Sequence, residues 1–225
     1  MTTSLTESPL APDYDRSSMT TGIVHIGVGG FHRAHEAAYL DRLMRRRAGS
    51  ASPEGSCLDW GICGVGLLPG DARMRDALEG QDHLYTLILK HPGGLRDPVV
   101  IGSIHGYLFA PDAPEAVLTL MSAPTTRIVS LTVTEGGYNV DDATGEFRTD
   151  SPGAVYDAEH PDGPVTAFGY IVEALRRRRE SGTAPFTVMS CDNLPGNGKV
   201  ARTAVVSQAA MSDPELADWI DGNVA

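Results

Sequence analysis

Apolar positions along this chain follow two rhythms. Short runs rich in β-branched residues break into glycine or polar turns, and most give way to stretches in which apolar residues recur every three or four places. "GIVHI" (22–26) followed by "FHRAHEAAYLDRLMRRR" (31–47), with Phe31, Ala34, Ala38 and Leu43 at helical spacing, reads as strand, tight turn and helix. "WGICGVGL" (60–67) and "PGDARMRDALEG" (69–80) repeat that order, with Asp71 placed to start the helix and Gly80 to end it. "LYTLIL" (84–89) and "VVIGSIHGYLF" (99–109), separated by the turn-rich "KHPGGLRDP", predict an antiparallel pair or two edge strands. A helix over 113–122 has Pro114 near its start, and "RIVSLTVTEGGY" (127–138) is the most β-branched strand, expected to be central. Helices over 165–180, 198–211 and 213–224 enclose a buried strand at "FTVMSC" (186–191).

Three segments fall outside these rhythms. Residues 1 to about 20 read as a flexible lead, 48–56 as a small polar insertion, and 139–164 as a Gly- and Pro-punctuated excursion rather than new core. The remainder alternates strand and helix. That alternation predicts an α/β domain over 21–225, doubly wound, with a mostly parallel sheet and an antiparallel edge portion.

Charge and composition narrow the function classes. The net charge of −11 and the lack of a basic stripe interleaved with aromatics argue against a nucleic-acid partner. The cluster Arg176 to Arg179 ends a helix, where cations complement the helix dipole, and reads as a solvated face. Cys57, Cys63 and Cys191 make neither an even set nor a CxxC pair, so neither a disulfide framework nor a zinc site is implied, and a reducing, cytoplasmic compartment is expected. The start of the chain lacks the apolar core of a secretory signal, and no apolar run is long enough to span a bilayer.

In an open parallel sheet, ligands bind beyond the carboxyl ends of the strands. The first such end, Gly27-Val28-Gly29-Gly30-Phe31-His32, lets backbone approach a phosphate closely, although His32 stands where a dinucleotide fingerprint has glycine. A plain tight turn is the alternative. Asp71, after the second strand, suits either adenosine ribose hydroxyls or a helix cap. Glu135 suits proton relay or a solvated loop, and Asn193 suits donation to a developing alkoxide or a turn. His32 and His35 share a helical face without a third ligand at fixed spacing, so no metal site is expected. Cys191 reads as a small buried hydrophobe.

The blocks "IVHIGVGGFHRAHEAAYLDRLM", "WGICGVGL", "GQDHLYTL", "RIVSLTVTEGGYN" and "FTVMSCDNLPGNGKVAR", in this order, resemble the long-chain mannitol dehydrogenase and fructuronate reductase family from about Gly22 onward. The resemblance implies a Rossmann-type domain binding NAD, with NADP possible, and a reaction between a polyol and a ketose without metal. Gly27, Gly29, Gly30 and Phe31 would lie along the pyrophosphate, with Asp71 on the adenosine ribose and Thr134 also on the cofactor. Glu135 would lead protons to solvent and Asn193 would bind the substrate oxygen. The family's base sits in a Lys-x4-Asn-x2-His arrangement on a helical C-terminal domain expected to be missing here. A separately encoded C-terminal half is therefore an expected partner, and the chain alone is expected to be inactive. A fructuronate reductase and a non-catalytic dinucleotide-binding module are the alternatives.

Overall fold

The computed structural model describes residues 11–48, 55, 57–141 and 143–225. The lead over residues 1–10 and most of the polar insertion at 48–56 lie outside them. In chain order the strands are β1 (Thr21–Ile26), β2 (Gly61–Gly66), β3 (Tyr85–Lys90), β4 (Arg96–Ile101), β5 (Ile104–Phe109), β6 (Ile128–Leu131) and β7 (Thr187–Ser190). The helices are α1 (Gly30–Ala34), α2 (Glu36–Arg47), α3 (Ala72–Glu79), α4 (Pro114–Ser122), α5 (Thr134–Gly137), α6 (Pro152–Glu159), α7 (Ala167–Ser181), α8 (Asn197–Ala210) and α9 (Pro214–Asn223).

Five strands make one parallel sheet in the order β5-β2-β1-β6-β7, and β3 pairs with β4 antiparallel as a separate ribbon. Leaving the ribbon aside, the chain winds outward from β1 to one edge, then returns to add β6 and β7 on the other side. This is the doubly wound order whose switch point lies between β1 and β6. Every residue of β2, and all of β1 after Thr21, is buried, because helices cover both faces. On one face Val24, Ile26, Val129 and Leu131 pack with Val117, Ile171 and Ala204. On the other, Ile23, Ile62 and Ile104 pack with Ala37, Ala38 and Leu78.

Several expectations change. The strand of highest β-branching, β6, lies beside the centre, which β1 occupies. The run 99–109 is two strands broken at Gly102 and Ser103: the Gly102 amide donates to Asp41 and the Ser103 hydroxyl to the Ala37 carbonyl, turning the chain from the ribbon into the sheet. The helix expected over 31–47 breaks at His35, and Tyr85 donates to the Arg33 carbonyl at 2.6 Å. Its buried face is Ala37, Ala38, Asp41 and Met44, while Leu43 is exposed. The last ten residues of the expected flexible lead pack onto the body, where buried Tyr14 donates to the equally buried Asp41 at 2.5 Å. The strand 187–190 is a half-buried edge rather than fully buried.

Two further corrections concern polar residues. Arg178 is buried, not solvated: its guanidinium donates to the carbonyls of Met121, Ala123, Thr126 and Ala184, joining the segment after α4 to the end of α7. The excursion 139–164 contains α6, entered through Ser151 and Pro152, and buried Ala154 makes it part of the core. Buried Asp157 accepts from the Val165 and Thr166 amides and from the Thr166 hydroxyl, fixing the chain's return into α7.

Candidate functional site

A cavity of about 850 Å³ opens at the carboxyl ends of β1, β2 and β6. Gly27, Val28 and Gly29 form one wall, the segment after β2 with Leu67, Asp71, Arg73 and Met74 a second, and Thr132, Thr134 and Gly136 with Val165 to Phe168 the opposite one. Asp71 and Arg73 are the charged side chains among its described lining residues. Its volume falls within the range of small-molecule and cofactor sites.

The glycine turn is closed from within. Gly27 has φ of 92°, and a Cβ there would overlap the Thr132 carbonyl oxygen. The Gly29 amide donates to the Gly27 carbonyl at 2.7 Å, as does the Thr132 hydroxyl at 2.5 Å. Gly29 therefore offers the cavity a bare backbone rather than a free donor. Gly29 makes no side-chain cap on α1, and Gly30 has nothing within 4 Å of where a Cβ would stand. Gly30 lies outside the cavity lining. Phe31, 53% exposed, stacks on His35 outside the cavity lining.

Beneath the turn lies a buried polar cluster. His25 Nε2 is 2.9 Å from the Thr132 hydroxyl and 3.2 Å from the Gly27 carbonyl, while its Nδ1 is 2.7 Å from Ser130 and 3.0 Å from Glu36. The His32 ring stacks on His25 with centroids 3.4 Å apart and shares the same Glu36 oxygen. Burial pulls His32 down to about 4, against the hydrogen bond to Glu36. Burial also opposes ionisation of Glu36, but the hydrogen bonds from His25 and His32 outweigh it and hold the carboxyl at about 2. His25, His32 and Glu36 come close enough to be weighed as metal ligands, and His35 is not among them. Two parallel rings 3.4 Å apart do not aim their in-plane lone pairs at one ion, and a neutral His32 donates its Nδ1 hydrogen to Glu36. The cluster lies directly beneath the glycine turn and reaches it through the Gly27 carbonyl and the Thr132 hydroxyl.

At the second strand end, Asp71 does not cap α3. Its Oδ2 accepts from the Leu67 and Leu68 amides at 3.0 and 2.9 Å, and among the described residues its Oδ1 has no partner. Gly66 lets it sit there, since a Cβ would stand 2.6 Å from that of Asp71.

At the third, Thr134 has φ of 62°, a costly conformation for a β-branched residue. What holds it is Asp192, which the sequence reading passed over for its neighbour Asn193. Its carboxylate accepts from the Val133 amide (2.9 Å), the Thr134 amide (3.1 Å) and the buried Tyr138 hydroxyl (2.8 Å). This carboxylate ties the end of β7 to the end of β6. Thr134 lines the cavity, whereas Glu135 and Asn193 stand exposed on these two neighbouring strand ends, outside the lining. Burial pushes the Cys191 thiol up to about 11, so it is no ready nucleophile.

The "Mannitol dehydrogenase Rossmann domain" family model matches residues 21–225. The chain belongs to that family. A mannitol 2-dehydrogenase from Cereibacter sphaeroides is 54% identical over 98% of this chain and 44% of its own length. A polyol:NADP oxidoreductase from Gluconobacter oxydans is 46% identical over 98% of this chain and 44% of its own. Among solved structures, the Pseudomonas fluorescens mannitol 2-dehydrogenase ternary complex with NAD and D-mannitol matches with 48% identity and a TM-score of 0.88, covering 95% of this chain and 42% of that one. A D-sorbitol dehydrogenase in substrate-free form gives 44% identity and a TM-score of 0.90, covering 99% of this chain and 44% of that one. The chain spans less than half the length of these relatives. Within the mannitol dehydrogenase family, its residues correspond to the Rossmann domain that the family model describes.

Proposed function

We propose that this chain supplies the dinucleotide-binding part of an oxidoreductase that interconverts a sugar alcohol and a ketose, of the mannitol 2-dehydrogenase type. The observation that carries the reading is the large cavity at the β1/β6 switch point, walled by a glycine turn and by a carboxylate after β2, in a member of this family. The names of the relatives, one bound to NAD and one called an NADP oxidoreductase, support a nicotinamide dinucleotide as the occupant. When bound, the nicotinamide ring accepts or returns the hydride.

The chain's own residues then do the following. Gly27, Gly29, Gly30 and Phe31 run along the pyrophosphate, where the absent side chains let backbone come close. Asp71 accepts an adenosine ribose hydroxyl on its free Oδ1. Thr134 contacts the cofactor from β6. Asn193 donates its amide to the substrate oxygen as alkoxide character develops, and exposed Glu135 passes the proton to water.

The described cavity residues include no lysine or histidine, and neither Lys90 nor Lys199 begins a Lys-x4-Asn-x2-His arrangement. Positioned acid–base groups contribute about 10²- to 10⁴-fold in rate. The 225 residues alone are therefore expected to bind NADH or NADPH saturably, by fluorescence titration, with no measurable polyol-dependent reduction of the oxidised coenzymes. Failure of both reduced coenzymes to bind the folded chain overturns the reading. Robust turnover overturns the assignment of the base to residues outside these 225.

A further inference from the structure

We propose that the buried pair of His25 and Glu36 positions the coenzyme's pyrophosphate: it holds the Gly27–Val28 peptide with its carbonyl inward, so that the Val28 amide faces the phosphates. This rests on the dinucleotide reading above and assigns the orientation of one donor to two residues that the reading itself leaves without a role.

The glycine turn has little else to offer an anion. Its Gly29 amide is spent on the Gly27 carbonyl, and the charged side chains among the described lining residues, Asp71 and Arg73, both stand on the wall after β2. The Val28 amide takes no partner among the described residues, and Val28 lines the cavity. In a planar trans peptide the C=O and N–H point in opposite directions, so whatever anchors the Gly27 oxygen also aims the Val28 hydrogen.

Hydrogen counting shows that the anchor is charged. The Gly27 carbonyl accepts from the Thr132 hydroxyl at 2.5 Å, while His25 Nε2 lies 3.2 Å from that carbonyl and 2.9 Å from that hydroxyl. Thr132 has one hydroxyl hydrogen and gives it to Gly27, so Nε2 donates. On the other side of the ring, Nδ1 lies 3.0 Å from a Glu36 carboxylate oxygen and 2.7 Å from the Ser130 hydroxyl, which itself donates to Glu36 at 3.1 Å. Both neighbours of Nδ1 are acceptors there, so Nδ1 donates as well. A ring that donates from both nitrogens is an imidazolium. His32, stacked on it, does not share that charge: burial, and after it the charge on His25, pull His32 down to about 4.

The ion pair is neutral overall, but the positive ring is the member that touches the turn. The next carbonyl is treated alike, since Val28 O accepts from the Arg33 guanidinium at 3.0 Å. Two successive carbonyls are thus drawn inward by cations, the polarity that an anion-binding turn needs.

Nitrogen-15 spectra of the 225-residue chain at neutral pH are expected to show both His25 ring nitrogens protonated. Calorimetry with ADP-ribose and with adenosine then separates the two ends of the site, because adenosine carries no phosphate. Glu36→Gln, which keeps the shape and removes the charge, is expected to strip one ring proton and to lower ADP-ribose affinity about tenfold, the scale of one hydrogen bond to a charged group, with adenosine affinity unchanged within about twofold. Glu36→Asp, which restores a carboxylate, is expected to recover part of the ADP-ribose affinity. A bare ring nitrogen on His25 in the unmodified chain overturns the inference, as does an ADP-ribose affinity that stays put or falls in step with that of adenosine in Glu36→Gln; the dinucleotide reading survives each of these. Should Glu36→Gln fail to fold in a thermal melt, the Val28 amide resonance of the unmodified chain decides: it is expected to shift on adding ADP-ribose but not adenosine, and no shift overturns the inference. If ADP-ribose does not bind the unmodified chain at all, the dinucleotide reading falls and this inference with it.

Discussion

Asp192 holds the end of β6 with one carboxylate, and three of the hydrogen bonds there depend on it. Replacing it with Ala leaves two turn amides without their acceptor and the buried Tyr138 hydroxyl with Ser190 as its one remaining partner among the described residues, and releases Thr134 from its left-handed conformation. Asp192→Ala is expected to cost about 2–3 kcal/mol in denaturant unfolding and to weaken coenzyme binding, with Asp192→Asn milder because one acceptor oxygen remains. The buried cluster behaves differently, because it titrates. His32 is held neutral down to about 4, while in the unfolded chain it takes up its proton near 6.5. Glu36 stays ionised down to about 2, while the unfolded chain protonates it near 4.5. In both windows the unfolded state binds more protons, so stability falls as pH drops, first from about 6.5 to 4 and again from about 4.5 to 2. Melting temperatures measured across this range are expected to decline in that order, and His32→Gln to flatten the upper part. A melting curve level between pH 6.5 and 4 would count against the buried, neutral His32.

The strand-to-turn junctions divide positions that hold the fold from positions that only face the ligand. Gly27 needs its positive φ and its missing Cβ, so Gly27→Ala is expected to destabilise by at least about 3 kcal/mol through strain and overlap with Thr132. Gly30 faces open space, so Gly30→Ala is expected to leave stability within about 0.5 kcal/mol while weakening coenzyme binding. Parallel unfolding and titration of the two variants separate the roles; equal losses of stability would show that both glycines serve the turn alone. At this scale most elements were legible in the chain: strand-turn-helix at 22–47 and the helix starts at Pro114 and Pro214 all follow local rules. The break at His35 and the split of 99–109 were not, because each depends on hydrogen bonds to residues remote in sequence, Tyr85 in one case and Asp41 in the other.

For the whole molecule, a ligand filling the cavity touches the end of β1, the segments that follow β2 and β6, and the start of α7 together, so its binding energy adds to the stability of the entire domain. At a free coenzyme concentration of about 100 Kd the gain is about 2.7 kcal/mol, which for a chain of this size raises the melting temperature by about 5–10 °C. Differential scanning with NADH or NADPH measures it, and no shift at saturating coenzyme would contradict binding across the sheet. The doubly wound class, the helix-covered parallel strands and the strand ends as the place to look were determined by the sequence itself, since burial on both faces writes continuous β-branched runs and every crossover needs a helix. Three things were decided only in three dimensions: the contact of His25 and Glu36 with the glycine turn, the tie of Asp192 across two strands, and the burial of Arg178. Each turns on whether a polar group finds a partner far along the chain. That is settled by the packing of the sheet and its helices, because local sequence records which donors and acceptors are present but not which of them meet.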